Sequence, residues 1–268
     1  MKKLMFAAAV AAGLVAFGDG LESANTVGYT TKAVEAGKFY LIGTQFDKTA
    51  GDSAGSIDMN DLIKLSSTIT AGLYDDDFAT APKISVLNAA GTGYNNYFYI
   101  SDGTDENDDE LGYDCWCDKD GYELDDSAKL ALGKGFWFSA PSTSGTITTA
   151  GQVSELASVT LNFPADKFTI LCNPYPAAVA LQSLTTSATP GLYDDDFATA
   201  PKISVLNAAA TGYNNYFYIS DGTDENDDEL GINAWCDKDG YELEDTQIDA
   251  GAAFWISAPV AGSVTFSL

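Results

Sequence analysis

Tyr94-Asn95-Asn96-Tyr97-Phe98-Tyr99-Ile100 returns unchanged as Tyr213-Asn214-Asn215-Tyr216-Phe217-Tyr218-Ile219. Such a run, rich in aromatic residues and set between Gly-, Asp- and Asn-rich segments, reads as a β-strand. With a side-chain period of two, Tyr97 and Tyr99 share one face with Asn95, while Tyr94, Phe98 and Ile100 share the other. Working outward, the repeat grows to Gly72–Asp126 and Gly191–Asp245, at a constant offset of 119, and its 55 positions differ at only five places. These are Gly91/Ala210, Tyr113/Ile232, Asp114/Asn233, Cys115/Ala234 and Asp125/Glu244. Beyond the block the likeness thins. Gly37 to Ile42 resembles Asp166 to Leu171, and Gly135 to Pro141 resembles Ala253 to Pro259. Recent exchange between the copies, or selection acting on the loops, would each leave such a pattern.

Other short β-rich runs are Thr26 to Thr31, Lys38 to Ile42, Ile84 to Leu87 and Phe136 to Ser139. Asp-Gly pairs at Asp102-Gly103 and Asp120-Gly121, and again at Asp221-Gly222 and Asp239-Gly240, signal hairpin turns. One short helix per copy is expected. Ser56 would cap a turn carrying Met59, Leu62 and Ile63, and Pro176 would open its counterpart reaching Leu181 and Leu184. The expected fold is all-β, two tandem jelly-roll-like β-sandwich domains, each with one short helix. An outer-membrane barrel would need longer uninterrupted alternation than these acidic loops and turns allow. The domains would be 19–150 and 151–268, with the seam near Ala150-Gly151-Gln152, and two repeats are too few for a solenoid.

Residues 1–18 read as a secretory signal: Lys2 and Lys3, an apolar stretch from Leu4 to Phe17, and a small-x-small site at Ala16-Phe17-Gly18. The expected location is secreted or on a bacterial cell surface. Cys115, Cys117, Cys172 and Cys236 are then structural thiols or supply one long-range bridge. Cys115 and Cys117 would share a strand face but are too close in sequence to bridge easily.

The second copy carries Lys167-Phe168-Thr169-Ile170-Leu171-Cys172-Asn173-Pro174-Tyr175-Pro176, then Gly212-Tyr213 before the aromatic strand, then Ala250-Gly251-Ala252-Ala253-Phe254-Trp255-Ile256. This resembles the β-rich modules of secreted proteins from Bacteroidetes and the Verrucomicrobia–Lentisphaerae group. In the first copy Gly43-Thr44-Gln45-Phe46 stands in place of Asn-Pro-Tyr-Pro. The resemblance implies a β-rich fold and a surface or extracellular location, and it brings no site residues with it.

The chain has 268 residues with 13 basic against 39 acidic ones, a formal charge of −26, and no His; every basic residue is Lys. Lacking imidazole, it has no Ser-His-Asp or Cys-His triad and no His-ligated metal. The acidic excess repels nucleic acid. The acids are concentrated. Ser101 to Asp126 holds twelve and Ser220 to Asp245 eleven, next to the triplets Asp75-Asp76-Asp77 and Asp194-Asp195-Asp196, whereas Ala128 to Phe163 has only Glu155. A halophilic surface would spread them evenly.

Crowded carboxylates repel one another unless cations neutralise them, and calcium takes six to eight such oxygens. Candidate ligands are Asp102, Asp105, Asn107, Asp109, Asp118 and Asp120, with Asp221, Asp224, Asn226, Asp228, Asp237 and Asp239 in the second copy. Asp105 to Asp109 opens like an EF-hand loop. Glu110 at the glycine position and Trp116 at the bidentate position exclude that motif. A solvated charged loop is the competing reading. Tyr97, Tyr99, Tyr216 and Tyr218 are candidates for a sugar-stacking platform, the alternative being cross-strand packing. Trp137 and Trp255 read as core or half-buried.

The expected function is that of an exported, non-enzymatic structural or adhesive protein with calcium-binding acidic loops, and a duplicated carbohydrate-binding module is the alternative. Divalent cations, a surface glycan or a second copy are the partners this implies, the last through strand Asn25 to Thr31 at an open edge.

Overall fold

A computed structural model describes residues 27–47, 56–73, 78–101, 103–104, 111–124, 128–192, 197–207, 210–220 and 231–267, so the signal segment 1–18 lies outside the described residues. The chain is all-β, with small, mainly antiparallel sheets. The first half holds β1 (Val27–Val34), β2 (Phe39–Gly43), β3 (Ser56–Asp58), helix α1 (Met59–Leu62), β4 (Ile63–Leu65), β5 (Lys83–Leu87), β6 (Tyr94–Ile100), β7 (Cys115–Cys117), β8 (Lys129–Ala131), β9 (Gly135–Ser139) and β10 (Gly145–Gln152). The second holds β11 (Ser158–Phe163), β12 (Thr169–Cys172), β13 (Val179–Ala180), β14 (Thr185–Thr186), β15 (Gly191–Leu192), β16 (Lys202–Leu206), β17 (Tyr213–Ser220), β18 (Asn233–Cys236), β19 (Gln247–Ile248), β20 (Ala253–Ser257) and β21 (Gly262–Ser267).

Both halves follow one plan. The small sheets are β1-β10-β4 and β11-β21-β14. The large sheets are β2-β9-β5-β6-β7 and β12-β20-β16-β17-β15, the latter with β18 on β17. Registers agree across the halves: Ile84 faces Tyr97, and Ile203 faces Tyr216. Alternation decides which residues turn inward. In β11 Val159, Leu161 and Phe163 are buried, while Ser158, Thr160 and Asn162 are exposed. The first core joins Val34, Ile63 and Ile147 of the small sheet to Ile84, Phe136, Phe138 and Trp116 of the large one. The second joins Val159, Leu161 and Phe266 to Ile203, Phe254 and Trp235.

Asp58, rather than Ser56, caps α1, its carboxylate accepting the Asn60 N–H at 2.8 Å. The helix begins at Met59, so Asp58 holds the cap position and Ser56, paired with Ala131 in β3, lies two residues too early. Met59 and Leu62 are buried as the spacing predicts. The counterpart is a single 3₁₀ turn, Leu181–Ser183, and begins after β13, so Pro176 does not open it.

The expected pair of tandem sandwiches is corrected. The sheets are set as four blades of a propeller-like ring. The reason is visible on the outer faces of the two large sheets, which tandem domains would leave in water. Here Leu41 of β2 is buried with Ile170 and Cys172 of β12 and Ala253 of β20, with Trp137, Trp255, Leu87 and Leu206 packed around them. The junction also carries a matched pair of backbone hydrogen bonds. Gly43 N–H donates to Gly251 O at 3.1 Å, and Cys172 N–H donates to Gly133 O at 2.8 Å. Gly43 and Cys172 occupy equivalent places in the two copies, as do Gly133 and Gly251. The halves therefore meet about a local pseudo-twofold axis.

Near that axis a residue meets its own counterpart, and two equal side chains would collide. A Cβ on Gly43 would sit 2.2 Å from Cys172 Cβ and 2.6 Å from Gly251 O. One on Gly135 would sit 2.8 Å from Ala253 Cβ. In each pair the first copy has glycine where the second has a side chain. Packing thus gives a physical reason for sequence difference in the segments that flank the repeated block.

The segment after β12 shows the same asymmetry. Asn173 is fully buried, and its Nδ2 donates to the carbonyls of Ala177, Ile248 and Asp249 at 2.7, 3.0 and 3.1 Å. Its Oδ1 accepts the Tyr175 N–H at 3.0 Å, and the buried Tyr175 hydroxyl donates to Leu156 O at 3.0 Å. In the first copy Thr44 and Gln45 are just as buried, but Thr44 Oγ1 and Gln45 Oε1 have no hydrogen-bond partner among the described residues.

Candidate functional site

Each acidic segment adjoins a short strand, β7 or β18, whose tryptophan is locked into the core. Trp116 Nε1 donates to Ile63 O at 3.4 Å, and its backbone N–H donates to Asn60 Oδ1 at 3.2 Å. Asn60 Nδ2 reaches on to Leu124 O at 3.1 Å. In the second half Trp235 Nε1 donates to Leu184 O at 3.3 Å, and its N–H donates to Gln182 Oε1 at 3.1 Å. Asn60 and Gln182 are thus equivalent clamps, found only once the short helical turns are placed over these strands.

Beyond β7 the chain turns back at Asp118–Tyr122. Asp118 Oδ1 accepts the N–H groups of Asp120 and Tyr122 at 2.8 and 3.1 Å, and Gly121 takes φ of 90°, a left-handed value suited to glycine. Asp237 repeats this with Asp239 and Tyr241 at the same 2.8 and 3.1 Å, and Gly240 has φ of 89°. The hairpin turns expected at Asp120-Gly121 and Asp239-Gly240 are present. Asp118 and Asp237 each spend one carboxylate oxygen on the turn. Asp120 and Asp239 pair with the adjacent Lys119 and Lys238, which raises both lysine pKa values.

The first loop has a closed neck. Thr104 N–H donates to Gly121 O at 3.2 Å, Glu123 N–H to Thr104 O at 2.9 Å, and Leu111 N–H to Gly103 O at 2.9 Å. The Thr104 hydroxyl is buried there with no hydrogen-bond partner among the described residues. Asp102, Asp105, Asn107, Asp109, Asp221, Asp224, Asn226 and Asp228 lie outside the described residues, as do both Asp triplets. Of the candidate ligands only Asp118, Asp120, Asp237 and Asp239 are therefore placed. Among the described residues no three carboxylates or thiols converge.

The tyrosines of β6 and β17 turn toward the cores. Tyr97 and Tyr99 are half-buried against the first core, and Tyr99 lies 5.3 Å, centroid to centroid, from Trp116. Tyr216 and Tyr218 are half-buried against the second, with Tyr218 at 5.2 Å from Trp235. Tyr99–Trp116 and Tyr218–Trp235 are cross-strand aromatic pairs, while Tyr97 and Tyr216 lie opposite Ile84 and Ile203. On the opposite face Phe98 stacks on Phe78 at 4.7 Å, and Phe217 on Phe197 at 4.8 Å. Trp137 and Trp255 are half-buried at the junction.

The four cysteines are buried and unbridged. Cys172 lies in the junction and donates its thiol to Thr44 O at 3.4 Å, and burial raises its pKa. Cys236 packs with Ala200, Ile219 and Ala234, and burial, helped by Glu242 and Asp237, pushes its thiol up to about 12. No long-range bridge links them. Cys115 and Cys117 share the outer face of β7, their sulfurs 3.4 Å apart. A surface hollow of about 230 Å³ lies between Thr189-Pro190, Pro201 and Pro259-Val260, and no titratable side chain lines it. Comparison of the chain with protein-family models, with curated proteins and with solved structures gives no match.

Proposed function

We propose that this is an exported, non-enzymatic structural or adhesive protein whose two acidic loops bind calcium. The observation that carries the reading is the framing of those loops. In both copies the nearly identical acidic sequence runs into a strand with a clamped tryptophan and then a matching aspartate turn. In the first copy the Thr104 hydroxyl at the neck adds an uncommitted oxygen to the surrounding carboxylates. A cation held there would relieve carboxylate repulsion. Two such loops on one body would let it engage two surfaces, or one surface twice, with gain in avidity.

Thermal melting tests this. For sites of the weak extracellular kind, with Kd of about 0.1 mM, 10 mM calcium would stabilise the folded state by about 2.7 kcal/mol. That corresponds to a rise in Tm of roughly 5–10 °C over the chelator control. Magnesium, smaller and reluctant to lose its waters, should give a smaller shift. Equal curves with calcium and chelator would defeat the calcium reading.

Self-association is the accompanying proposal for the structural role. Among the described residues β1 pairs only with β10, and β11 only with β21. Neither strand contains an acid, in a chain of formal charge −26, and Val27 and Tyr29 are exposed on β1. A long edge free of acids, with Lys32 as the one charge on β1, is a template for strand addition. Size-exclusion chromatography of the mature chain should show a species larger than the monomer that Tyr29→Lys returns to monomer. A sharp monomer peak at every concentration would count against it.

A further inference from the structure

We propose that Cys115 and Cys117 form a reversible disulfide, a covalent site present in the first copy alone. Their sulfurs already lie within 3.4 Å, in mutual hydrogen bonding, on one face of β7. Gly103 lies over both: a Cβ there would be 2.7 Å from Cys117 Sγ and 2.9 Å from Cys115 Sγ. Being glycine, residue 103 puts no side chain against the sulfur pair. Trp116, between them in sequence, points to the opposite face and is fixed in the core. Cys172 and Cys236 sit in separate clusters and are no competitors.

Comparison of the copies is a second, independent observation. The repeat has five differences in 55 positions, and three are consecutive: Tyr113/Ile232, Asp114/Asn233 and Cys115/Ala234. The second copy therefore keeps Cys236 and lacks its partner. Tyr113, also replaced there, donates its hydroxyl to Glu123 at 3.0 Å across the same hairpin. The run of differences ends at Cys115, one of the two thiols.

The hydrogen bond from Cys117 lowers the Cys115 pKa, while that same bond, burial and nearby acids raise that of Cys117. Cys115, 4% exposed where Cys117 is fully buried, is the first nucleophile. As the thiolate it attacks an external disulfide such as oxidised glutathione, forming a mixed disulfide and releasing one reduced thiol. Cys117, losing its proton, then displaces the second thiol and closes the Cys115–Cys117 bond. Two protons leave the protein, and its two electrons reduce the external disulfide to two thiols. Two residues of extended strand span about 6.6 Å, at the upper end of the Cα separations a disulfide accepts. The resulting strain makes the bond reducible by mild thiols.

The test is to refold reduced full-length chain in a glutathione redox buffer, quench with an alkylating agent and map the peptides by mass. In oxidising buffer the peptide containing both cysteines should be unalkylated and lighter by two hydrogen atoms, with Cys172 and Cys236 alkylated. Excess reduced glutathione should restore two alkylatable thiols. Cys115→Ala, which reproduces Ala234 of the second copy, should fold with the same circular dichroism and leave Cys117 alkylated in either buffer. Full alkylation of Cys115 and Cys117 in oxidising buffer, pairing of either with Cys172 or Cys236, or a bond that excess glutathione leaves intact would overturn the proposal.

Discussion

Asn173→Ala is expected to destabilise the protein by about 3–4 kcal/mol, lowering Tm by roughly 10 °C. The side chain is fully buried and makes four hydrogen bonds, three to carbonyls of residues 177, 248 and 249 and one from the Tyr175 N–H. A methyl group replaces none of these. Each polar group left buried without a partner costs about 1–3 kcal/mol, more than the net worth of the bond when made. The equivalent position in the first copy supplies the contrast. Thr44 is equally buried, but its hydroxyl has no hydrogen-bond partner among the described residues. Thr44→Val keeps the shape and removes an unsatisfied oxygen, so its stability should change by no more than about 0.5 kcal/mol, or rise. Chemical denaturation of both variants checks the pair. Equal losses at the two positions would show that hydrogen bonding does not distinguish them.

Gly43→Ala is the second large effect. The added carbon would fall 2.2 Å from Cys172 Cβ and 2.6 Å from the carbonyl oxygen of Gly251, and the latter is backbone that cannot rotate aside. Overpacking of a buried site costs about 1–3 kcal/mol, and a backbone obstacle places this case at the upper end, about 3 kcal/mol. Cys172→Gly should restore at least 1 kcal/mol in the double variant, because the two positions share one space across the axis. Additive losses in that cycle would mean that the two residues do not meet.

Much of the architecture could be read from the chain because alternation and turn chemistry are local signals. Tyr94–Ile100 forms β6 with the bounds its aromatic pattern predicts, and Asp120-Gly121 makes its hairpin turn. Cys115 and Cys117 share a face, as period two requires. What could not be read depends on contacts between distant residues. Nothing near Gly43 announces that Cys172, far along the chain, will occupy the space its missing side chain leaves. Without that contact the two copies read as independent sandwiches. Ser56 has the chemistry of a helix cap, but the helix starts at Met59, and only the placed backbone shows that Asp58 holds the cap position. The tyrosines of β6 carry the same composition whether they face a sugar or a buried tryptophan, and only the placement of Trp116 and Trp235 shows which side they take. At the candidate site the charge was legible and the frame was not. Asn60 and Gln182, which clamp the floor of the loops, are ordinary polar residues until the strand above them is in place.

The central claim is that two unequal copies close on one another about a buried local axis, and amide hydrogen exchange at Gly43 and Cys172 tests it most directly. Both N–H groups donate across the junction, to Gly251 O and Gly133 O. Residues of an independent domain edge would exchange through local fraying, with little protection. The account predicts that both amides are protected to the same level as those of β9 and β20 in the large sheets, and that Gly43→Ala lowers the protection of Cys172. Rapid exchange at Gly43 and Cys172, with β9 and β20 still protected, would contradict it.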